Sequence, residues 1–184
     1  MSMREKDVIV KTEKPIVKDD FIQAFKMLNL LSTDNVIVHT SMSKLGYIIG
    51  GPVTIIEALT SYFQDGLIMM PTQTGDNSNP AQWEHPPVPK AWVQPLKENM
   101  PAFDKDLTPT RGMGRVVEVF RTLKDVYRSN HPIVSFAAWG KGAKQLVENH
   151  PLSPAFGKNS PLGKFHQLKG KILCIGTDYD TITY

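Results

Sequence analysis

Val36-Ile-Val-His-Thr-Ser-Met-Ser-Lys-Leu-Gly-Tyr-Ile-Ile-Gly-Gly-Pro-Val-Thr-Ile-Ile-Glu-Ala-Leu-Thr-Ser-Tyr-Phe63 is the stretch that decides the fold class. It opens with a short, almost continuously apolar run, Val36 to His39, which reads as a buried strand. A polar, glycine-bearing turn follows from Thr40 to Gly51. Pro52 then leads a helical segment that runs to Phe63; proline suits the first turn of a helix, where its missing N–H costs nothing.

The same alternation extends outward. Upstream, Phe21, Ile22, Ala24, Phe25 and Leu28 recur at helical spacing. Downstream, Asp65-Gly66 ends the helix, and Leu67-Ile-Met-Met70 reads as a second buried strand stopped by Pro71. Periodicity is then lost from Thr72 to Arg111. That stretch is rich in proline and holds Trp83 and Trp92, so it predicts an ordered lid or pocket wall with a short helix near Val93 to Asn99. Regularity returns after Gly112. Val116, Val117, Val119, Phe120 and Leu123 make a helical face, Val134 to Trp139 a strand, and Gly142 to Asn149 a helix. Pro161 to Leu168 reads as a short helix and Lys171 to Ile175 as a last strand. Helices alternating with short apolar strands predict a layered α/β fold.

Composition narrows the function. The 184 residues suit one domain, spanning 1–184. The net charge of +3 is carried by scattered basic residues, which argues against nucleic acid. A single cysteine, Cys174, excludes an internal disulfide and a multi-cysteine zinc site, and it reads as a buried strand residue. No apolar run approaches the roughly 20 residues that span a bilayer, and the charged N-terminus lacks a signal-peptide core. These features predict a cytoplasmic protein that binds neither membrane nor metal. Nucleotide P-loop, Rossmann, HExxH and GxSxG patterns are missing.

Several stretches carry chemistry. The first strand delivers His39, Thr40, Ser41 and Ser43 to its end, while Gly46, Gly50 and Gly51 let the backbone turn beside a helix N-terminus. Amides, dipole and hydroxyls together suit a phosphate or pyrophosphate. The same pattern also suits a plain tight turn. Thr108-Pro-Thr-Arg-Gly-Met-Gly114 offers hydroxyls and an arginine before another helix, either as a ligand contact or with Thr110 as N-cap. His131, just before a strand, fits a general base or a hydrogen-bonded corner. Asp76, Glu84 and Asp104 form either a solvated loop or an acidic wall facing a cationic substrate. Glu118, one turn into a helix, could orient a histidine.

Taken in order, His39-Thr-Ser-Met-Ser-Lys-Leu-Gly46 with Gly50-Gly51, Met70-Pro-Thr72, Pro86-Pro-Val-Pro89 with Trp92, and Met100-Pro-Ala-Phe-Asp104 form the first part of a series. Thr108-Pro-Thr-Arg-Gly-Met-Gly114 with Glu118, Arg128-Ser-Asn-His-Pro132, Ser135-Phe-Ala-Ala138 and Ser160-Pro-Leu162 complete it. The series resembles the aminoglycoside 3-N-acetyltransferase family from about Phe21 to Tyr184. The resemblance implies a three-layer α/β/α sandwich around a mixed sheet, distinct from the common acetyltransferase fold. It implies transfer of acetyl from acetyl-CoA to the 3-amino group of a 2-deoxystreptamine aminoglycoside by direct attack. CoA would lie along the turn from His39 to Gly51, Leu45 included, and along Thr108, Thr110 and Met113. The acidic residues of the Pro-rich loop would face the polycationic amine. Glu118 becomes the orienting carboxylate and His131 the base within these residues. In the family the turn resembling Gly176 to Tyr184 leads at once to a histidine, so the natural chain is expected to continue. Two other readings stand beside this one: a CoA-binding module without turnover, and a hydrolase using Ser41 or Ser43.

Overall fold

The structure, a computed structural model, describes residues 5–183. In chain order the helices α1 (Glu5–Lys11) and α2 (Lys18–Met27) precede strand β1 (Asn35–Thr40). Helix α3 (Pro52–Tyr62) then leads to β2 (Leu67–Pro71), and α4 (Val93–Asn99) sits inside the Pro-rich region. Helix α5 (Arg115–Phe120), β3 (Tyr127–Arg128), β4 (Phe136–Gly140), α6 (Ala143–Val147), α7 (Pro161–Gln167) and β5 (Lys171–Ile175) follow. The N-terminal α1 and the two-residue β3 are additions to the elements expected from sequence; β3 is too short to show a period of two.

The five strands form one sheet in the order β3-β4-β2-β1-β5. β1 pairs in parallel with β2 on one side and β5 on the other, whereas β4 runs antiparallel to both β2 and β3. Alternate residues therefore face opposite layers. Val36, Val38, Ile68, Met70, Leu173 and Ile175 join the core made with α2, α3 and α5. Ile37, Leu67, Met69, Phe136 and Ala138 join a second core with α6 and α7. This is the three-layer α/β/α sandwich around a mixed sheet. It also explains why the strands read as unbroken apolar runs: both faces are covered, so no polar face is needed.

The parallel pairing fixes where ligands can meet the sheet. The carboxyl ends of β1, β2 and β5 open on one edge, and the antiparallel β4 brings its amino end to the same edge, with Pro71 opposite Phe136. In open α/β sheets that edge is where ligands bind.

Candidate functional site

A cleft of about 600 Å³ opens at this edge. Val38, His39, Thr40 and Pro71 form its floor, Met113 and Val117 one wall, and Phe156 another. Ser41, Lys44, Thr177 and Thr181 make a polar end. The loop after β5 reaches this end because the Ser41 N–H donates to the Ile175 carbonyl at 2.9 Å. Gly176, at φ +66°, lets it pass; a Cβ there would lie 2.5 Å from the Ser41 carbonyl oxygen.

A hollow of similar volume lies at the opposite edge, lined by Asn35, Asp65, Lys141 and Lys164 among others. The ammonium of Lys164 is already committed there, donating to the carbonyls of Gln145, Leu146 and Glu148. The cleft at the carboxyl edge differs. His39 is 6 % exposed, and among the described residues its buried Nε2 has no hydrogen-bond partner. Burial holds its pKa below the ordinary histidine value, so the ring is neutral at pH 7. A buried, unpaired ring nitrogen costs free energy unless something supplies a partner.

Of the residues expected at a cofactor site, His39, Thr40, Ser41 and Met113 line this cleft. Ser43, Leu45 and Gly46 line an adjoining hollow of about 560 Å³ together with Lys11, Lys14 and Lys44. Lys44 lines both, and the hydroxyls of Ser41 and Ser43 lie 3.3 Å apart across the boundary. The N-terminal segment pins this turn. Thr12 Oγ1 accepts the Tyr47 N–H at 2.8 Å, and it would stand 3.0 Å from a Cβ on Gly46, whose φ is +98°. Glycine is required on both counts. Gly50 and Gly51 lie further off, at the entry to α3, and line neither space.

The second expected stretch serves mainly to hold itself together. Helix α5 begins at Arg115 with Gly114 as N-cap, so Thr110 is not the cap. Instead the backbone N–H and hydroxyl of Thr110 both donate to Glu118 Oε1, while Arg121 pairs with Oε2 at 2.9 Å. Burial opposes ionisation of Glu118, but the hydrogen bonds from Arg121 and Thr110 outweigh it and lower the pKa. The hydrogen bonds of this carboxylate go to Thr110 and Arg121 rather than to an imidazole, in place of the orienting contact expected from sequence. Thr108 is likewise engaged: its hydroxyl accepts the Asp104 N–H, and its carbonyl accepts from Arg128.

Arg128, which sequence reasoning missed, is the clamp of this region. It is 7 % exposed. Its guanidinium donates to the carbonyls of Thr72, Lys105 and Thr108 and to the hydroxyls of Thr72 and Ser135. Phe103 lies under it at 5.1 Å. Burial, and then the charge of Arg121, bring its pKa down to about 10, so it stays charged at neutral pH. Lys44, Gln73, Phe156 and the threonines after β5 were also missed as cleft residues. Only the polar loop following a strand hinted at the last group.

His131 has the geometry of a structural corner, one of the two roles its position allowed. Its Nδ1 accepts the N–H groups of Ile133 and Val134, both at 3.1 Å. Its lone pair is therefore occupied, and the ring lies outside the cleft lining. The acidic residues divide similarly. Asp76 is paired with Arg111, which also stacks over Trp83. Asp104 Oδ1 accepts the N–H groups of Asp106 and Leu107, making a local turn. Glu84 is exposed in the Pro-rich loop, and none of the three lines the cleft.

Comparison with known proteins gives a consistent result. A profile of the aminoglycoside 3-N-acetyltransferase family matches residues 37–184. The SPbeta prophage-derived aminoglycoside N(3')-acetyltransferase-like protein YokD of Bacillus subtilis is 41% identical over 97% of this chain and 66% of its own length. Its crystal structure superposes with a TM-score of 0.92 at 40% identity, covering 96% of this chain and 66% of that one. Aminoglycoside N(3)-acetyltransferase VIII of Streptomyces fradiae is 35% identical over 98% of this chain and 63% of its own length. The structure of AAC-IIIb in a binary complex with CoASH superposes with a TM-score of 0.79 at 28% identity, covering 92% of this chain and 62% of that one. The chain thus spans slightly less than two thirds of these relatives' length.

Proposed function

Because the chain belongs to the aminoglycoside 3-N-acetyltransferase family, we propose that the cleft at the carboxyl ends of β1, β2 and β5 takes the acyl arm of acetyl-CoA. The acceptor in this reading is an amine, the 3-amino group of a 2-deoxystreptamine aminoglycoside. The observation that carries it is that this cleft gathers His39, whose buried Nε2 has no hydrogen-bond partner among the described residues, with Thr40, Ser41 and Met113; His131 Nε2 is also unpartnered but lies outside the cleft. The residues fit the group. Val38, Pro71, Met113, Val117 and Phe156 give apolar contact for an extended arm, and Thr40, Ser41 and Thr177 offer hydroxyls for its amides. The adjoining hollow, with Lys11, Lys14 and Lys44, suits the phosphates of the nucleotide end. A structural relative is described as a binary complex with CoASH, which supports CoA as the ligand.

When bound, acetyl-CoA supplies an activated thioester. The chain's own residues then hold and shield it. The neutral His39 ring is the imidazole in the floor, and its Nε2 is the hydrogen-bonding atom it would offer the acyl arm. Glu118 acts by fixing Thr110, and with it the wall formed by Met113, and His131 by fixing a turn. An ammonium is not a nucleophile until it loses a proton, so the acceptor must be deprotonated before attack. Holding donor and amine together supplies much of the remaining acceleration.

A second reading, a CoA-binding module without turnover, is favoured by one observation: Glu118 and the Nδ1 of His131 are both committed to structural hydrogen bonds. Calorimetry with CoA and acetyl-CoA, followed by thiol release on adding kanamycin- or gentamicin-type amines, separates the two. Binding with thiol release supports the acetyltransferase. Binding alone supports the module. A folded chain that binds neither ligand removes the cofactor assignment. One neutral hydrogen bond is worth about 1 kcal/mol, so His39→Phe is expected to raise the acetyl-CoA Kd roughly fivefold.

A further inference from the structure

A buried polar chain runs from the sheet to the cleft wall without entering the cleft. Ser129 follows β3, and it is tied to β4 twice: its N–H donates to the Phe136 carbonyl at 2.8 Å, and its Oγ accepts the Phe136 N–H at 2.9 Å. Ser129 Oγ also lies 2.9 Å from His150 Nδ1. On the far side of that ring, Nε2 is 2.7 Å from the carbonyl oxygen of Ala155. A carbonyl can only accept, so Nε2 carries the proton. Nδ1 is then the acceptor, and the Ser129 hydroxyl must donate to it. The Ser129 hydroxyl, both ring nitrogens of His150 and the Ala155 carbonyl are satisfied in one arrangement.

The ring is fixed in other ways too. His150 is 8 % exposed, and the His131 ring packs against it at 4.5 Å. Phe136 lies 6.1 Å from the His150 ring and 6.2 Å, edge-on, from Phe156. Phe156 is the residue after Ala155, sits in the irregular segment 148–160 between α6 and α7, and forms part of the cleft wall while 41 % exposed. A half-exposed aromatic on an irregular segment loses ordering entropy when a ligand closes on it, unless the backbone beside it is already held.

We propose that Ser129 and His150 form a positioning relay that fixes Phe156, one wall of the cleft, and so sets how tightly the acyl arm is held. The inference rests on the reading of the cleft as the acyl-donor site, but the relay itself can be tested without any ligand. His150 is a positioning residue here. It touches Ala155, and Phe156 touches the ligand.

The test uses the full chain labelled with 4-fluorophenylalanine, with the Phe156 fluorine line assigned by Phe156→Leu. In the ligand-free protein, Ser129→Ala and His150→Phe are expected to shift or broaden that line while thermal unfolding stays cooperative. His150→Gln, whose amide can still donate to Ala155, is expected to leave it close to its original position. Acetyl-CoA Kd, read by calorimetry, is expected to rise roughly fivefold in Ser129→Ala and less than twofold when the same change is made in Phe156→Leu. A Phe156 line unmoved in folded Ser129→Ala, or an equal Kd change in both backgrounds, overturns the relay. A moved line in a chain that binds no acetyl-CoA keeps the relay and removes the cofactor reading instead.

Discussion

Two polar regions flank the cleft, and they are built oppositely. In the stretch from Thr72 to Glu118, polar groups find each other: Asp76 with Arg111, Glu118 with Thr110 and Arg121, Arg128 with three carbonyls and two hydroxyls. In the turn from His39 to Gly46, they do so only at the exposed surface or not at all. His39 Nε2 has no partner among the described residues, the exposed hydroxyls of Ser41 and Ser43 lie 3.3 Å apart, and Lys44 makes an exposed contact with Asp178 at 3.3 Å. The first region commits its polar atoms to structure. The second leaves them for something else. Residue type alone does not reveal a site, because both regions are rich in hydroxyls and charges. What distinguishes them is whether the hydrogen-bonding capacity is already used.

The largest effect is expected at Arg128. Arg128→Met keeps apolar bulk but leaves the carbonyls of Lys105 and Thr108 without their donor and that of Thr72 with the Ser135 hydroxyl alone. The expected loss is about 2–4 kcal/mol of unfolding free energy, read by urea denaturation. A loss below about 1 kcal/mol would mean that the long loop is held by something other than this clamp.

A second test uses acid. His39, His131 and His150 all have pKa values lowered, first of all by burial; at His150 the Ala155 carbonyl opposes this, and the charges of His131 and Lys164 add to it. The unfolded chain takes up protons near pH 6.5 that the folded chain refuses. Stability is therefore full above about pH 6.5 and is lost as pH falls from there through the folded values. Urea midpoints at pH 7.5 and 5.5 should differ for the wild type, and His150→Gln should shrink the difference. An unchanged midpoint would show that these rings do not resist protonation.

The smallest effects belong to half-exposed pairs. Glu118→Gln weakens the contacts to Thr110 and Arg121, but solvent screens a side chain that is about a third exposed, so the expected loss is about 1 kcal/mol. Asp76→Asn, in an exposed pair, should cost less than about 0.5 kcal/mol. If Asp76→Asn instead weakened binding of a cationic aminoglycoside severalfold with stability unchanged, the region from Thr72 to Glu118 would have to be given a ligand-binding role as well.

Much of the fold is legible in the order of the residues. Val36 to His39, Leu67 to Met70 and Lys171 to Ile175 read as strands, and Pro52 to Phe63 as a helix; each lies within about a residue of the observed element. The cleft is half legible. His39, Thr40 and Ser41 end a strand, so sequence places them at the sheet edge. Met113 is implied only by family resemblance, and it does line the cleft. Phe156 gives no signal, because nothing in Pro154-Ala-Phe-Gly157 says that the segment folds back over β1.

What the sequence determined by itself is whatever depends on neighbours a few residues away: the apolar runs, the proline entering α3, the glycines that turn the chain at 46 and 51, and the order of the family motifs. Which polar groups are satisfied depends instead on the tertiary fold. Arg128 reaches Thr72 across 56 residues, His150 reaches Ser129 across 21, and Ser41 reaches Ile175 from the neighbouring parallel strand. Hydrogen bonds are short-ranged and directional, so strand order and register choose their partners. Among the described residues the buried ring nitrogens left over, Nε2 of His39 in the cleft and Nε2 of His131 outside it, become visible only once the other partners have been assigned.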